Sequence, residues 1–178
     1  MTTTREVVDF WSEAGPSRWF RKDPAFDFLM RTRFLALHEA AAGGVHDEWA
    51  ATSEGALALI ILLDQFPRNA FRGSPRMFAS DAKALATARA AISAGFDTGV
   101  DASLRNFFYL PYMHSEKLQD QDTAVELTRS LGGEQHKFAV LHRDIIEKFG
   151  RFPHRNAQLG RITSAAEQEF LDAGGFSG

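Results

Sequence analysis

Apolar positions recur at three- and four-residue spacings along almost the whole chain, the period of one face of a helix. The spacing predicts a short first helix over 4–13, with Val7, Val8 and Trp11 on one side and Gly15-Pro16 as its end. Asp23-Pro24 is a start signal, a capping carboxylate followed by proline in the first turn. The helix it opens runs to about Ala42, with Phe26, Leu29, Met30, Phe34 and Leu37 in one stripe and His38 as a structural or exposed residue. Residues 53–65 are apolar on nearly every side in the middle, which predicts a buried central helix that Pro67 ends. Ser74-Pro75 opens a long helix with Phe78, Ala82, Leu85 and Ile92 inward and Gly95 as its cap. Asp101 caps a helix through Tyr109, which Pro111 kinks or ends. Ser115 caps another over 116–131, and 134–149 is strongly amphipathic, with Phe138, Leu141, Ile145 and Phe149 on one face. Pro153 and Ser164 start two short terminal helices, Ser164 with Glu167 as a capping box. No segment alternates as a strand does. The expected fold is all-α, antiparallel helix pairs in a compact bundle or short superhelix, forming one domain over 1–178.

Composition narrows the function more than it changes this picture. A chain of 178 residues buries roughly 70% of its unfolded surface. It needs no staple, and there are no cysteines to make one. The absence of thiols fits a reducing compartment, the start of the chain lacks a signal-peptide core, and the expected location is the cytoplasm. The longest apolar run, Ala56–Leu63, is far below the ~20 residues of a membrane span. A net charge of -3 gives no global attraction for nucleic acid or an acidic membrane, and neither partner is expected. His136 and His142 are spaced wrongly for two ligands on one helix face, and no zinc, di-iron, nucleotide-binding or serine-hydrolase motif is present. No metal and no cofactor are therefore expected.

Three segments mix helix breakers, aromatic rings and charge in a way packing alone does not require. They are 64–73, 105–116 and 149–156. The first and third share a theme, Phe66-Pro67-Arg68-Asn69 against Phe152-Pro153-His154-Arg155-Asn156. Each places Arg and Asn in an opening turn, where free N–H groups and the helix dipole favour an anion. The candidate ligand-binding residues are Arg68, Asn69, Arg72, Arg151, Arg155 and Asn156. The candidate proton-transfer groups are His114, Glu116 and His154. The competing structural account is equally specific. Such arginines and asparagines also bond stray carbonyls or pair with acids such as Asp64 and Asp81.

At these segments the chain resembles a bacterial family catalogued as domain of unknown function 924. The resemblance rests on LLDQFPRNAFRGSPRMFASDAKAL, RNFFYLPYMHSEKLQDQ and IIEKFGRFPHRNAQLGR, with VVDFW near the start and EQEFLDAGGF near the end. It implies a fold similar to tetratricopeptide-like helical repeats, and it supplies no activity and no catalytic residue. Three readings follow. The first is a helical module that binds a small anionic ligand or a peptide or protein partner. The second is an enzyme acting on a small anionic substrate, with His114 or His154 as acid/base. The third is a purely structural cluster with function elsewhere. Binding ranks first because no nucleophile or metal signature stands out. A homo-oligomer is compatible with all three.

Overall fold

The computed structural model describes residues 2–177, and every regular element among them is helical. The chain divides into two compact units, one of residues 1–72 and 76–111, the other of 73–75 and 112–178.

In the first unit, α1 (Thr4–Ala14) opens on a capping box between Thr3 and Glu6 and buries Val7 and Trp11. The short α2 (Pro16–Trp19) turns Trp19 back, and its indole N–H donates to the Trp11 carbonyl at 2.6 Å. In α3 (Pro24–Ala42), Asp23 accepts from the N–H groups of Ala25 and Phe26, as the Asp-Pro signal predicts. Its buried face is Phe26, Met30, Phe34, His38 and Ala41, with Leu29 48% exposed. The stripe is rotated from the expected one, and His38 takes the inward place assigned to Leu37.

The expected central helix is present but does not stop at Pro67. It runs as α4 (Ser53–Ile60), a π-helical turn (Ile61–Gln65) and α5 (Phe66–Ala70). The wide turn lets the Phe66 N–H reach back to the Ile61 carbonyl, so proline falls at the start of a fresh helical register. Gly55 lies so close to the Trp49 carbonyl that a Cβ there would sit 2.0 Å from its oxygen.

Residues 75–78 form only a 3₁₀ turn, and α6 begins later than expected, at Asp81, and ends at Ser93. Its inward residues are Ala84, Ala88 and Ala91, while Ala82 is exposed. Packing of α6 against α4 selects this face, because methyl groups let two helices approach more closely than leucines do. Pro111 lies inside α7 (Asn106–Met113), and the boundary between the units falls just after it.

In the second unit, α8 (Leu118–Arg129) packs on α9 (Gly133–Phe149), tied by Arg143 to Asp122 at 3.1 Å. Gly132 and Gly133 both take positive φ in the connection, where a side chain would be strained. The buried face of α9 is Ala139, His142, Ile145 and Ile146, and Phe138 and Leu141 are 45% and 39% exposed. This face, too, is rotated from the expected one. Ile145, Ile146 and Phe152 form a small core against Phe149, Phe170 and Phe176. The last helix, α10 (Ala165–Asp172), carries the predicted Ser164–Glu167 capping box. Among the described residues no helix is long and apolar enough to cross a membrane.

Candidate functional site

The π turn leaves carbonyls that the helix cannot satisfy. Pro67 has no N–H to return to Leu62 or Leu63. Both oxygens sit in the buried centre of the first unit, where an unmet acceptor costs about 1–3 kcal/mol. Each is met by a side chain. His38 Nδ1 donates to Leu62 O at 2.8 Å, and Ser80 Oγ donates to Leu63 O at 2.6 Å. A third carbonyl, that of Asp64, accepts from Arg68 Nη1 at 2.6 Å.

His38 and Ser80 also line a cavity of about 300 Å³, with Glu39, Arg76 and Lys83 around them. Ser80 precedes α6, whose first turn has no side-chain cap because the serine hydroxyl is turned to Leu63. The N–H groups of that turn and the helix dipole therefore present a positive end beside the cavity. Lys83 bonds the Ala41 carbonyl at 2.8 Å and pairs with Asp47 at 2.6 Å. Arg76 pairs with Glu39 at 3.2 Å and lies over the Phe71 ring at 3.9 Å. Both ion pairs reach solvent, where the attraction between opposite charges is weak. His38 is stacked on Phe66 at 4.7 Å, and burial pushes its pKa down despite the Leu62 hydrogen bond. The Leu62 oxygen can only accept, so Nδ1 carries the proton and Nε2 is an acceptor. Nε2 has no hydrogen bond to any described residue.

The first Phe-Pro turn is joined to the start of α6 by ion pairs. Arg68 makes a two-pronged pair with Asp81 at 2.9 and 3.0 Å and lies 3.3 Å from Asp64, which is fully buried. Burial opposes the charge on Arg68, but Asp64 and Asp81 more than offset it, and its pKa is raised. The triad ties the π turn to the first residue of α6. Asn69 donates to Asp27 Oδ1 at 2.9 Å, and Arg72 grips the same carboxylate from 2.6 Å, anchoring α5 to α3.

In the second unit the structure brings together the residues expected from the other two segments. Glu116 takes a two-pronged contact from Arg161, both arms at 2.8 Å, and accepts from the Phe152 N–H at 2.9 Å. Burial alone would raise the Glu116 pKa, but Arg161, the Phe152 amide and Arg155 outweigh it and lower it. Arg155 donates to the His114 carbonyl at 3.1 Å and covers Phe152 at 4.5 Å. Arg151 pairs with Glu167 at 2.6 and 2.8 Å. That pairing, with the Ser164 amide, lowers the Glu167 pKa to about 2. Asn156 is buried and donates to Thr163 at 3.3 Å. His154 lies between the Phe152 and Phe176 rings, and its buried Nδ1 has no hydrogen-bond partner among the described residues. Burial, with the charge of Arg155 nearby, pushes its pKa down to about 3.

A family model described as a bacterial protein of unknown function (DUF924) matches residues 7–175. The chain belongs to this family. A solved structure titled "Structure of Protein of Unknown Function ATU0120 from Agrobacterium tumefaciens" is 48% identical, covering 96% of this chain and 97% of that one, with a TM-score of 0.94. None of the curated proteins matches the chain. The comparisons thus agree with the all-helical class and supply no reaction or ligand for any residue.

Sequence reasoning passed over Arg76, Ser80, Lys83 and Arg161, and it read His38 as structural or exposed, of which the structure shows the structural role. Two signals bore on them. The unbroken apolar run into Pro67 implied carbonyls in need of donors, and a histidine on an apolar stripe is a natural donor. Nothing in the sequence paired Arg161 with Glu116, 45 positions away.

Proposed function

We propose that this protein binds a small anionic ligand in the cavity lined by His38, Arg76, Ser80 and Lys83. One observation carries the reading: two cations, Arg76 and Lys83, outnumber the single carboxylate, Glu39, in a cavity that also meets the uncapped start of α6 and the imidazole of His38, whose charged form burial disfavours. At about 300 Å³ the cavity sits at the small end of the range for ligand pockets. On this reading Arg68 and Asn69 act by holding the π turn in place, and the ligand itself meets α6 and the residues beside it.

Thermal unfolding with sulfate, phosphate and simple carboxylates tests the site. A ligand at a hundred times its dissociation constant adds roughly 2.7 kcal/mol. The gain is expected to shrink in Arg76→Gln and in Lys83→Met. Stabilisation that is unchanged in both variants, or absent for every anion in the wild-type chain, sinks the reading.

A second reading keeps the ligand in the other unit, at Arg151, Arg155 and Asn156, with His154 as acid/base beside His114 and Glu116. What favours it is the buried, unpartnered Nδ1 of His154. Against it, Arg151 and Arg161 already have two-pronged carboxylate partners. Anion stabilisation that survives Arg76→Gln and disappears in Arg155→Gln would decide for this second site.

A further inference from the structure

The cavity constrains its ligand beyond the sign of its charge. The Leu62 carbonyl fixes the tautomer of His38, because a carbonyl accepts and never donates. Burial disfavours a charge on the ring, which is stacked on Phe66 and lies tilted against Phe71 at 5.6 Å. What His38 presents is therefore a preorganised acceptor, Nε2, on a residue only 6% exposed. An acceptor so placed favours a ligand that carries a donor. The two cations outnumber the Glu39 carboxylate in the cavity wall, and with the helix start they favour an anion at the same time. A carboxylate or an alkyl phosphate dianion without a hydroxyl satisfies the second demand and not the first. A neutral polyol satisfies the first and not the second.

We infer that the ligand of this cavity is a small hydroxylated anion, of the hydroxy-carboxylate or hydroxyalkyl-phosphate kind. Its anionic group lies toward Arg76, Lys83 and the first turn of α6, and its hydroxyl donates to His38 Nε2. The inference rests on the anion site proposed above and adds what distinguishes one anion from another there. His38 is then a specificity residue, and the π turn is the device that orients it. The Leu62 oxygen that the helix cannot use holds the ring, which fixes the direction of its other nitrogen.

Matched pairs differing by hydroxyl groups test this on the full chain: lactate against propionate, and glycerol 3-phosphate against n-propyl phosphate. Calorimetry at pH 8 keeps the alkyl phosphates without an acidic P–OH donor. The hydroxylated member of at least one pair is expected to bind about tenfold more tightly. The discriminating variant is His38→Asn, whose amide nitrogen can replace Nδ1 as donor to Leu62 while nothing replaces Nε2. It is expected to unfold near the wild-type temperature, to keep its affinity for propionate or n-propyl phosphate, and to lose the preference for the hydroxyl. Equal binding of both members by the wild-type chain overturns this inference and leaves the anion site standing. A preference that persists in His38→Asn overturns it as well. Failure of all four probes to bind brings down the anion reading itself.

Discussion

His38 and Arg68 show how much a buried polar residue depends on its partner. His38 meets a carbonyl orphaned by the π turn, so its structural role and its proposed recognition role use different nitrogens of one ring. Replacing it with leucine strands the Leu62 oxygen and is expected to cost about 1–3 kcal/mol in urea unfolding. His38→Asn is expected to recover most of that loss. Arg68 stands between a fully buried Asp64 and Asp81. Arg68→Met leaves the Asp64 charge without its cation, and breaking such a pair typically costs about 3–5 kcal/mol. A loss below 1 kcal/mol in the same measurement would mean that the triad is not what holds the π turn. Arg76 and Lys83 make more exposed pairs, so their substitution should change stability little while weakening anion binding. That contrast separates the residues that build the site from those that occupy its wall.

At the scale of elements, the wide turn at Ile61–Gln65 allows an uninterrupted apolar helix to carry a proline without ending. It also sets where α3 and α6 must bring donors, which is why His38 and Ser80 face it. The α4–α6 contact works by small residues, with Ala84, Ala88 and Ala91 turned inward. Ala88→Leu therefore overfills a site that is fully buried. A loss of about 1–3 kcal/mol is expected from thermal or urea unfolding. Gly55→Ala is the sharper test of close approach, since its new methyl would meet backbone rather than a movable side chain. It should destabilise the first unit by at least as much, and a neutral outcome would contradict the observed Gly55–Trp49 contact. The exposed Phe138 and Leu141 carry the opposite lesson. An amphipathic period does not specify which of two adjacent apolar rows is covered. In α9 the covered row runs through His142, Ile145 and Ile146.

For the molecule as a whole, stability should fall as the solution is acidified from neutrality, and the sign follows from three groups. His154 has a folded pKa pushed down to about 3. Between its ordinary value near 6.5 and that figure, the unfolded chain binds a proton that the folded chain refuses. Stability is lost as pH drops through this interval. Glu116 and Glu167 have lowered folded values because Arg161 and Arg151 hold their charges. They are protonated first in the unfolded chain, which extends the loss below about pH 4.5. His154→Phe removes the first contribution and keeps a ring between Phe152 and Phe176. Its unfolding free energy is expected to decline less between pH 7 and pH 4 than that of the wild-type chain. Parallel declines would rule out His154 as the source.

The division between what was legible in the sequence and what was not follows the range of the interactions. Helical class, the Asp23 cap, the Ser164–Glu167 box and the ends at glycine depend on residues within one or two turns of each other, and the chain alone determined them. The face that each helix buries, the continuation through Pro67 and the late start of α6 were decided by neighbours far off in sequence. His38 shows the reason most clearly. Its role comes from a carbonyl 24 positions away, freed by a proline and reached only when α3 packs on the π turn. The Phe-Pro-Arg-Asn theme was readable as charge at a helix start. Which carboxylate each arginine would meet depended on the packed arrangement of elements, because a guanidinium takes whatever partner the tertiary structure brings within reach.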